Sequence, residues 1–453
     1  MHIPRFLIAA AHKSSGKTVV STGIAAALTA RGVNVAAFKK GPDYIDPMWL
    51  GAAVGGPCYN LDFNTQTREE IPGFFASRAN TADVALVEAN KGLFDGVAMD
   101  GSDANAALAK MLALPVVLVI DTNSMTRGIA PLLQGYRAFD PAVNIVGVIL
   151  NKVGGPRHEK KLREAVETYT DLKVVGAVHR NPELEIGERH LGLTTPAETG
   201  EFQSMIARIG EIVGDSVDLD LLRDLAGTAP DLSAAPTTDP APTPDLTIAY
   251  AHDRAFGFYY PDDLEAFAAA GAHLVAFDAM RDTALPRCDG LFIGGGFPEM
   301  FISELNANAS LRADIKAKIE AGLPTYAECG GLMYLCRSMR HGAEVAPMVG
   351  AVPADAVMHA RPQGRGYTRF RNTSSHPWPG EGKTAAHEFH YARLEGVEGD
   401  PTYARDILRG HGIDGSHDGI VAHNMLAGFC HLRSTSTDNW VARFVAFVRS
   451  CKA

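Results

Sequence analysis

Two segments of the sequence carry residue types that can perform group-transfer chemistry, and the first lies near the N terminus. The residues AHKSSGKT at positions 11–18 follow a short apolar run and precede an amphipathic stretch that reaches Ala30. This is the phosphate-binding loop pattern, with Ala11 in place of its usual first glycine. Loop amides bind phosphate oxygens, the lysine reaches the outer phosphates, and the next hydroxyl holds Mg²⁺. The pattern predicts ATP binding by Ser14, Ser15, Gly16, Lys17 and Thr18. A tight turn without a ligand is the alternative.

Acidic residues further along the chain indicate how the metal ion would be held. The segment KKGPDYIDP at residues 39–47 concentrates two lysines and two aspartates, and we interpret it as a loop at the sheet edge whose charges need not be buried. Glu88 ends an apolar run, and Asp95 follows in a glycine-flanked loop. Hard cations such as Mg²⁺ favour carboxylate oxygen. We therefore predict Mg²⁺ at Thr18, Asp46 and Glu88, and nucleotide contacts from Lys40, Asp43, Asp46 and Asp95. A solvated charged loop is the alternative.

The second reactive segment is PTYAECGGL at residues 324–332, where a short strand-like run meets a cysteine and two glycines. This pattern is typical of a nucleophile on a sharp strand-to-helix turn, which places Cys329 as the nucleophile. A cysteine nucleophile needs a base, and His431, at the end of the apolar run AGFCH, is the best-placed histidine. The strand at residues 290–293 leads into GGGFPE at 294–299, which we expect to be a flexible loop whose backbone amides could face an oxyanion. We predict that oxyanion site at Gly295, Gly296 and Gly330. A structural histidine and a plain glycine-rich turn are the alternatives.

A catalytic zinc ion is not predicted. The segment AHEFHY at residues 386–391 has the spacing HExH rather than HExxH, so its histidines are not one helical turn apart. The six cysteines include no CxxC pair, which argues against a structural zinc site and against a disulfide framework.

The elements that must position these residues alternate between strands and helices. Before residue 229, apolar runs at 6–10, 84–88, 116–121, 145–151 and 174–178 alternate with helix-like stretches, and the alternation restarts at 246–250, 273–276, 290–293 and 325–328. This indicates α/β architecture, with a mostly parallel sheet and crossover helices before residue 229 and a second α/β domain after the linker. We interpret the Pro- and Ala-rich stretch at 229–245 as a linker. We predict domains at 1–228 and 246–453.

Composition narrows the class of protein. With 453 residues, 46% hydrophobic and 21% charged, the chain is typical of a globular enzyme with two to three domains. The net charge of −10 argues against a nucleic-acid partner. The N-terminal apolar run ends in the phosphate loop, so we predict no signal peptide. No segment reaches the roughly 18 apolar residues expected of a membrane span, and we expect a cytoplasmic protein.

Several motifs in this order resemble those of the cobyrinic acid a,c-diamide synthase family. They are SSGKT at 14–18, KGPDYIDP at 40–47, ERHLGL at 188–193, GGGFPE at 294–299, ECGGLMYL at 328–335 and HEFHY at 387–391. The related cobyric acid synthases share the domain order, but KGPDYIDP and the position of HEFHY favour the a,c-diamide branch. The resemblance implies a phosphate-loop domain related to dethiobiotin synthetase, joined to a class I, triad-type glutamine amidotransferase domain.

The resemblance also implies roles for particular residues. Cys329 would be the glutaminase nucleophile and His431 its base, while Asp43, Asp46, Glu88 and Asp95 would serve ATP, Mg²⁺ and an acyl-phosphate step. His431 is followed by Leu432 and Arg433, so the His-x-Glu pattern of many class I glutaminases is absent. The implied partners are a tetrapyrrole carboxylate, L-glutamine and ATP, and a homodimer is compatible with the sequence.

Different functions remain open at this point. Within the family, AAHKSSGKT, KKGPDYIDPMWL and GIDGSHDG (residues 412–419) are similar to members proposed to amidate sirohaem, so sirohaem competes with cobyrinic or hydrogenobyrinic acid as the substrate. A ParA-like ATPase switch would have no use for Cys329. A non-enzymatic tetrapyrrole carrier would tolerate loss of both Lys17 and Cys329.

Overall fold

The computed structural model describes residues 2–189, 192–193, 202–232 and 242–452. The chain divides into two compact units, Met1–Phe63 with Thr67–Thr237 and Asn64–Gln66 with Thr238–Ala453. The boundary at residues 237/238 falls within the stretch 229–245 that the sequence predicts as a linker. Residues 233–241 of that stretch, and residues 190–191 of the ERHLGL motif, lie outside the described residues. In the described parts of the chain, no helix has the length and apolar character needed to cross a membrane.

A seven-stranded parallel sheet forms the centre of the first unit. Its strands are β1 (Arg5–Ala10), β2 (Val35–Lys40), β3 (Cys58–Leu61), β4 (Val84–Glu88), β5 (Val116–Asp121), β6 (Ile145–Val153) and β7 (Lys173–His179). The spatial order is β3-β2-β4-β1-β5-β6-β7, and each neighbouring pair is parallel. Continuous apolar runs such as VALV in β4 are buried throughout, as expected for parallel strands covered on both faces.

Helices connect and cover these strands. They are α1 (Lys17–Ala30), α2 (Ile45–Val54), α3 (Glu70–Ala79), α4 (Asn105–Met111), α5 (Ile129–Phe139), α6 (Pro156–Tyr169), α7 (Phe202–Ser216) and α8 (Leu219–Gly227). A short antiparallel pair, β8 (Glu188–Arg189) and β9 (Gly192–Leu193), lies between α6 and α7 in the chain.

The second unit contains a nine-stranded mixed sheet and a four-stranded sheet. Its strands are β10 (Leu246–Ala251), β11 (Phe256–Phe258), β12 (Ala272–Phe277), β13 (Gly290–Ile293), β14 (Gly295–Gly296), β15 (Thr325–Glu328), β16 (Cys336–His341), β17 (Glu344–Pro347), β18 (Val352–Met358), β19 (Gly364–Asn372), β20 (Lys383–His390), β21 (Ala392–Glu395), β22 (Thr402–Arg409), β23 (His417–Ala422) and β24 (Met425–Gly428). Its helices are α9 (Pro261–Ala269), α10 (Ile302–Ala307), α11 (Ala309–Glu320), α12 (Gly330–Leu335) and α13 (Trp440–Lys452).

The larger sheet has the order β12-β10-β13-β15-β24-β23-β22-β19-β20. The pairs from β12 to β24 are parallel, and those from β24 to β20 are antiparallel. Strand β15 is therefore central, and its carboxyl end meets that of β24. The sequence-predicted α/β class and the nine predicted strand positions are confirmed.

Two local expectations are wrong. The segment at 39–47 is not an edge loop with solvated charges, because Lys39 and Lys40 end the internal strand β2 and each is 2% exposed. Helix α2 begins at Ile45, so Asp46 and Pro47 lie in its first turn. Proline is tolerated there because the first N–H groups of a helix have no intrahelical acceptor. The glycine-rich loop is also partly ordered as a strand, since Gly295 and Gly296 pair with β11.

Candidate active sites

The phosphate-loop motif lies between β1 and α1, as the pattern predicts. Ser14 and Gly16 have φ values of 63° and 82°, so the loop turns through left-handed conformations. A Cβ on Gly16 would lie 2.3 Å from Nδ2 of Asn151, which donates to the carbonyl of Ser15 at 2.8 Å. Glycine is thus required at position 16 both for its φ and for the close approach of Asn151.

Thr18 and two acidic residues meet beside this loop. The Thr18 hydroxyl donates to Oε1 of Glu88 at 2.9 Å. Nζ of Lys39 lies 2.8 Å from the same oxygen and 2.5 Å from Oδ2 of Asp46. The parallel register of β2 and β4 places Lys39 directly beside Glu88. The structure therefore brings together the predicted metal ligands, and it adds a lysine that the sequence prediction did not include.

The charges in this cluster depend on one another. Burial raises the pKa of Glu88 despite the neighbouring Lys39. Burial acts to lower the pKa of Lys39, but Asp46 and Glu88 outweigh it and raise that pKa above its ordinary value. For Lys17, burial and then the Lys39 charge lower the pKa to about 8. The Lys39 ammonium is accordingly the fixed positive charge of the cluster.

The other predicted nucleotide-site residues have structural contacts of their own. Oδ1 of Asp43 accepts from the backbone N–H groups of Ile45 and Asp46 at 2.9 and 3.1 Å, and so satisfies the first turn of α2. Burial and the nearby Asp46 raise the pKa of Asp43 to about 7. Oδ2 of Asp95 accepts from the Gly92 N–H at 3.0 Å, which fixes the loop after β4.

Lys40 does not join the carboxylate cluster. Its Nζ lies 5.7 Å from the ring centroid of Phe63, and burial lowers its pKa. Consecutive side chains of a strand point to opposite faces, so only one of Lys39 and Lys40 can face Glu88. That alternation was the sequence signal that could have selected Lys39.

In the second unit, Cys329 and His431 come together at the carboxyl ends of β15 and β24. Cys329 lies between β15 and α12 with φ of 50° and ψ of −103°, which is the sharp turn predicted from the flanking glycines. The N–H of Cys329 donates to the carbonyl of Gly428 at 2.7 Å. Gly428 ends β24, and His431 lies three residues after Gly428 in the chain. A side-chain hydrogen bond joins His431 to Cys329.

The predicted oxyanion glycines surround this pair. A Cβ on Gly295 would lie 2.6 Å from Cε1 of His431, and a Cβ on Gly330 would lie 3.0 Å from the backbone N of Gly296. Neither position has room for a side chain. The backbones of β14 and the first turn of α12 therefore approach each other beside Cys329.

Glu328 is a site residue that the sequence prediction missed. Its Oε2 lies 3.3 Å from Nδ1 of His431, and both side chains are 3% exposed. Burial acts to lower the pKa of His431, but Cys329 and then Glu328 raise it to about 10. The available signal was an acidic residue directly before the nucleophile.

Comparisons with known protein families agree with a phosphate-loop site in the first unit and a Cys–His site in the second. Residues 6–193 match the model of the CobQ/CobB/MinD/ParA nucleotide binding domain, and residues 247–439 match that of the CobB/CobQ-like glutamine amidotransferase domain. A phosphate-loop unit and a glutaminase-type unit in one chain define an amidating ligase.

Similarity to individual proteins extends over nearly the whole chain. The cobyrinate a,c-diamide synthase of Magnetococcus marinus is 42% identical over 99% of this chain and 97% of the relative. Those of Methanosarcina barkeri and Dehalococcoides mccartyi are 37% and 38% identical, over 99% and 98% of this chain and 97% and 98% of the relatives. The chain belongs to the cobyrinate a,c-diamide synthase family.

Proposed function

We propose that this protein converts the a and c acetate carboxylates of cobyrinate into primary amides, with glutamine as the nitrogen donor and ATP as the activating reagent. The observation that carries the proposal is the presence in one chain of a Cys–His pair on a strand-to-helix turn and a phosphate loop beside buried carboxylates. The names of the relatives supply the substrate.

The glutaminase half-reaction is assigned to Cys329 and His431. The Cys329 sulfur attacks the side-chain amide carbon of glutamine, and backbone N–H groups of Gly296 and Gly330 stabilise the oxyanion. His431 gives a proton to the departing ammonia and later takes one from the water that hydrolyses the thioester. Glutamate and ammonia are the products.

The synthetase half-reaction overcomes the low electrophilicity of a carboxylate. A carboxylate oxygen of the substrate attacks the γ-phosphorus of ATP, and ADP leaves. Ammonia then attacks the acyl carbon, and phosphate leaves. Loop amides and Lys17 hold the phosphates, and Lys39 adds a fixed positive charge beside Glu88 and Asp46.

The residues present fit a magnesium ion. Oε2 of Glu88 is buried with no hydrogen-bond partner in the described structure, and the Thr18 hydroxyl and Asp46 carboxylate are the other oxygen donors of the cluster. When bound, Mg²⁺ supplies charge neutralisation at the transferred phosphoryl group. We propose Thr18, Asp46 and Glu88 as its protein ligands.

An oxygen-label experiment tests the acyl phosphate. Substrate labelled with ¹⁸O in its carboxylates should transfer one label to inorganic phosphate for each amide formed, because the carboxylate oxygen that attacked phosphorus leaves with the phosphate. Phosphate free of label would contradict this route.

Mass spectrometry tests the reaction and its substrate. Cobyrinic acid and sirohaem are incubated separately with the protein, glutamine and Mg-ATP. We expect two amide groups on cobyrinic acid. Amidation of sirohaem alone would redirect the proposal to the sirohaem-amidating branch, and ATP hydrolysis without amidation of either compound would favour the ATPase switch.

A further inference from the structure

A buried carboxylate lies against the imidazole of the proposed glutaminase base, where the sequence offers no His-x-Glu pattern. We propose that Glu328, the residue immediately before the nucleophile, is the positioning carboxylate of the glutaminase site and completes a Cys329–His431–Glu328 triad. This inference rests on the proposed glutaminase function. In this triad, the Nδ1–H of His431 faces Glu328, and Nε2 of His431 is left to face Cys329.

Strand pairing explains how two adjacent residues reach the same histidine. Glu328 is the last residue of β15 and lies opposite Gly428 of β24 in the parallel register. In a regular strand, the side chains of residues 328 and 329 would point to opposite faces. The positive φ of Cys329 breaks that alternation at the strand end, so both side chains contact His431.

The Glu328 carboxylate is itself held in place. Its Oε1 accepts from the Tyr326 hydroxyl at 2.6 Å and from the Leu432 N–H at 2.9 Å, which leaves Oε2 for His431. The Tyr326 hydroxyl in turn accepts from the guanidinium of Arg405 at 3.2 Å. Hydrogen bonds of this kind fix the orientation of a functional side chain.

A second buried ion pair anchors that network. Arg405 lies 3.1 Å from Asp418, and neither side chain is exposed. Asp418 accepts from the backbone N–H of Phe429 at 2.8 Å, two residues before His431. The backbone that carries the histidine and the carboxylate that faces it are therefore tied to the same buried cluster.

Other titratable groups around His431 and Glu328 are not placed to act as the carboxylate that positions His431. The His387 ring stacks on His431 at 4.9 Å and 15°, and burial holds its pKa well below the usual range, so it adds no charge. Burial and Asp262 raise the pKa of Asp263, whose carboxylate receives the Ser434 N–H and the Trp440 indole N–H.

A cation and two phenols also lie near this pair. Arg433 is paired with Asp262 at 2.9 Å. Burial raises the pKa of Tyr259 and of Tyr326 well above the usual value, so both phenols are neutral at physiological pH. Glu328 is thus the carboxylate placed to orient the imidazole and to stabilise its protonated form.

The test compares Glu328→Gln with Tyr326→Phe in the full chain. Without the carboxylate, kcat for glutamine hydrolysis should fall by about 10²-fold or more, because His431 no longer acts as a correctly positioned acid–base group. The KM for glutamine should change little. The alkaline limb of the kcat profile should move to lower pH because the imidazolium loses its partner. Tyr326→Phe removes one donor but keeps the carboxylate, so its alkaline limb should stay in place. Glu328→Asp should restore part of the shift.

Ammonia-dependent amidation and thermal unfolding report whether the variants fold. An unchanged alkaline limb in Glu328→Gln would overturn the proposal, whatever happens to its stability. If that variant does not fold, ¹⁵N-histidine NMR of the wild type decides instead. A deshielded proton on Nδ1 of His431 is expected, and a proton on Nε2 alone would overturn the proposal. Failure of the proposed function has a different signature, namely no Cys329-dependent glutamate release by the wild type.

Discussion

Gly295 is where the absence of a side chain matters most for the glutaminase chemistry. A Cβ there would lie 2.6 Å from Cε1 of His431 and 3.3 Å from the Phe258 ring, so Gly295→Ala must displace the histidine. We expect glutaminase kcat to fall by at least about tenfold, which corresponds to roughly 1.4 kcal/mol in the barrier. Ammonia-dependent amidation should be retained. Glutamate release and amide formation measured on the same preparation check this, and equal loss of both activities would contradict it.

Lys39 and Lys40 form a matched pair for testing the carboxylate cluster. Removing the Lys39 ammonium leaves Glu88 and Asp46 without their cation, and breaking a buried ion pair costs about 3–5 kcal/mol. We expect Lys39→Met to unfold at lower denaturant concentration, and added Mg²⁺ to stabilise it more than the wild type, because the ammonium no longer competes for those oxygens.

Lys40→Met is the control for that experiment. Its ammonium faces Phe63 rather than Glu88, so the Mg²⁺ effect on its unfolding should match that of the wild type. Chemical unfolding with and without Mg²⁺, in the absence of nucleotide, gives the comparison. A larger Mg²⁺ effect in Lys40→Met than in Lys39→Met would show that the cluster is wrongly assigned.

Replacing two helix glycines with alanine should change the free energy of unfolding in opposite directions. Gly135 lies within α5 with open space around it, whereas a Cβ on Gly23 of α1 would lie 2.5 Å from Cβ of Val213 in α7. Gly135→Ala should raise the free energy of unfolding by about 0.5–1 kcal/mol, because alanine loses less backbone entropy on folding. Gly23→Ala should lower it by about 1–3 kcal/mol through overpacking. The denaturant midpoints of the two variants and the wild type measure these changes. Stabilisation by both substitutions would contradict the close packing of α1 against α7 at Gly23.

Long apolar runs made the central strands predictable from the sequence. Strands such as β4 and β5 are buried over nearly their whole length, so composition alone identifies them. The antiparallel strands β19 to β23 expose part of their side chains and include charged residues, which removes that signal. The start of α2 was missed because Pro47 resembles a loop residue, although its position in the first turn is compatible with a helix.

The candidate sites were predictable where the chemistry is local in sequence. SSGKT and ECGG each place their functional residues within a few positions, and both occur in the expected strand-loop-helix setting. Contacts made across the sheet were not predictable in the same way. Lys39 depends on the β2–β4 register, and Glu328 reaches His431 because β15 pairs with β24.

For the whole molecule, the two chemistries should separate by mutation. Lys17→Met removes the phosphate-loop ammonium in the first unit, whereas Cys329→Ala removes the nucleophile in the second. We expect Lys17→Met to abolish amidation with either nitrogen source while basal glutamine hydrolysis remains. Cys329→Ala should lose glutamine-dependent amidation and keep the ammonia-dependent reaction. Glutamate, ADP and amide are assayed separately, and glutamine-dependent amidation by Cys329→Ala would contradict this division.

Glutamine-dependent amidation requires that nitrogen pass from the side chain of glutamine into the product, and an isotope label can follow it. Cobyrinic acid is incubated with Mg-ATP, glutamine labelled with ¹⁵N in its side-chain amide, and unlabelled ammonium, and the diamide is analysed by mass spectrometry. We expect ¹⁵N in the wild-type product, unlabelled diamide from Cys329→Ala and no product from Lys17→Met. Labelled diamide from Cys329→Ala, or any diamide from Lys17→Met, would contradict this expectation.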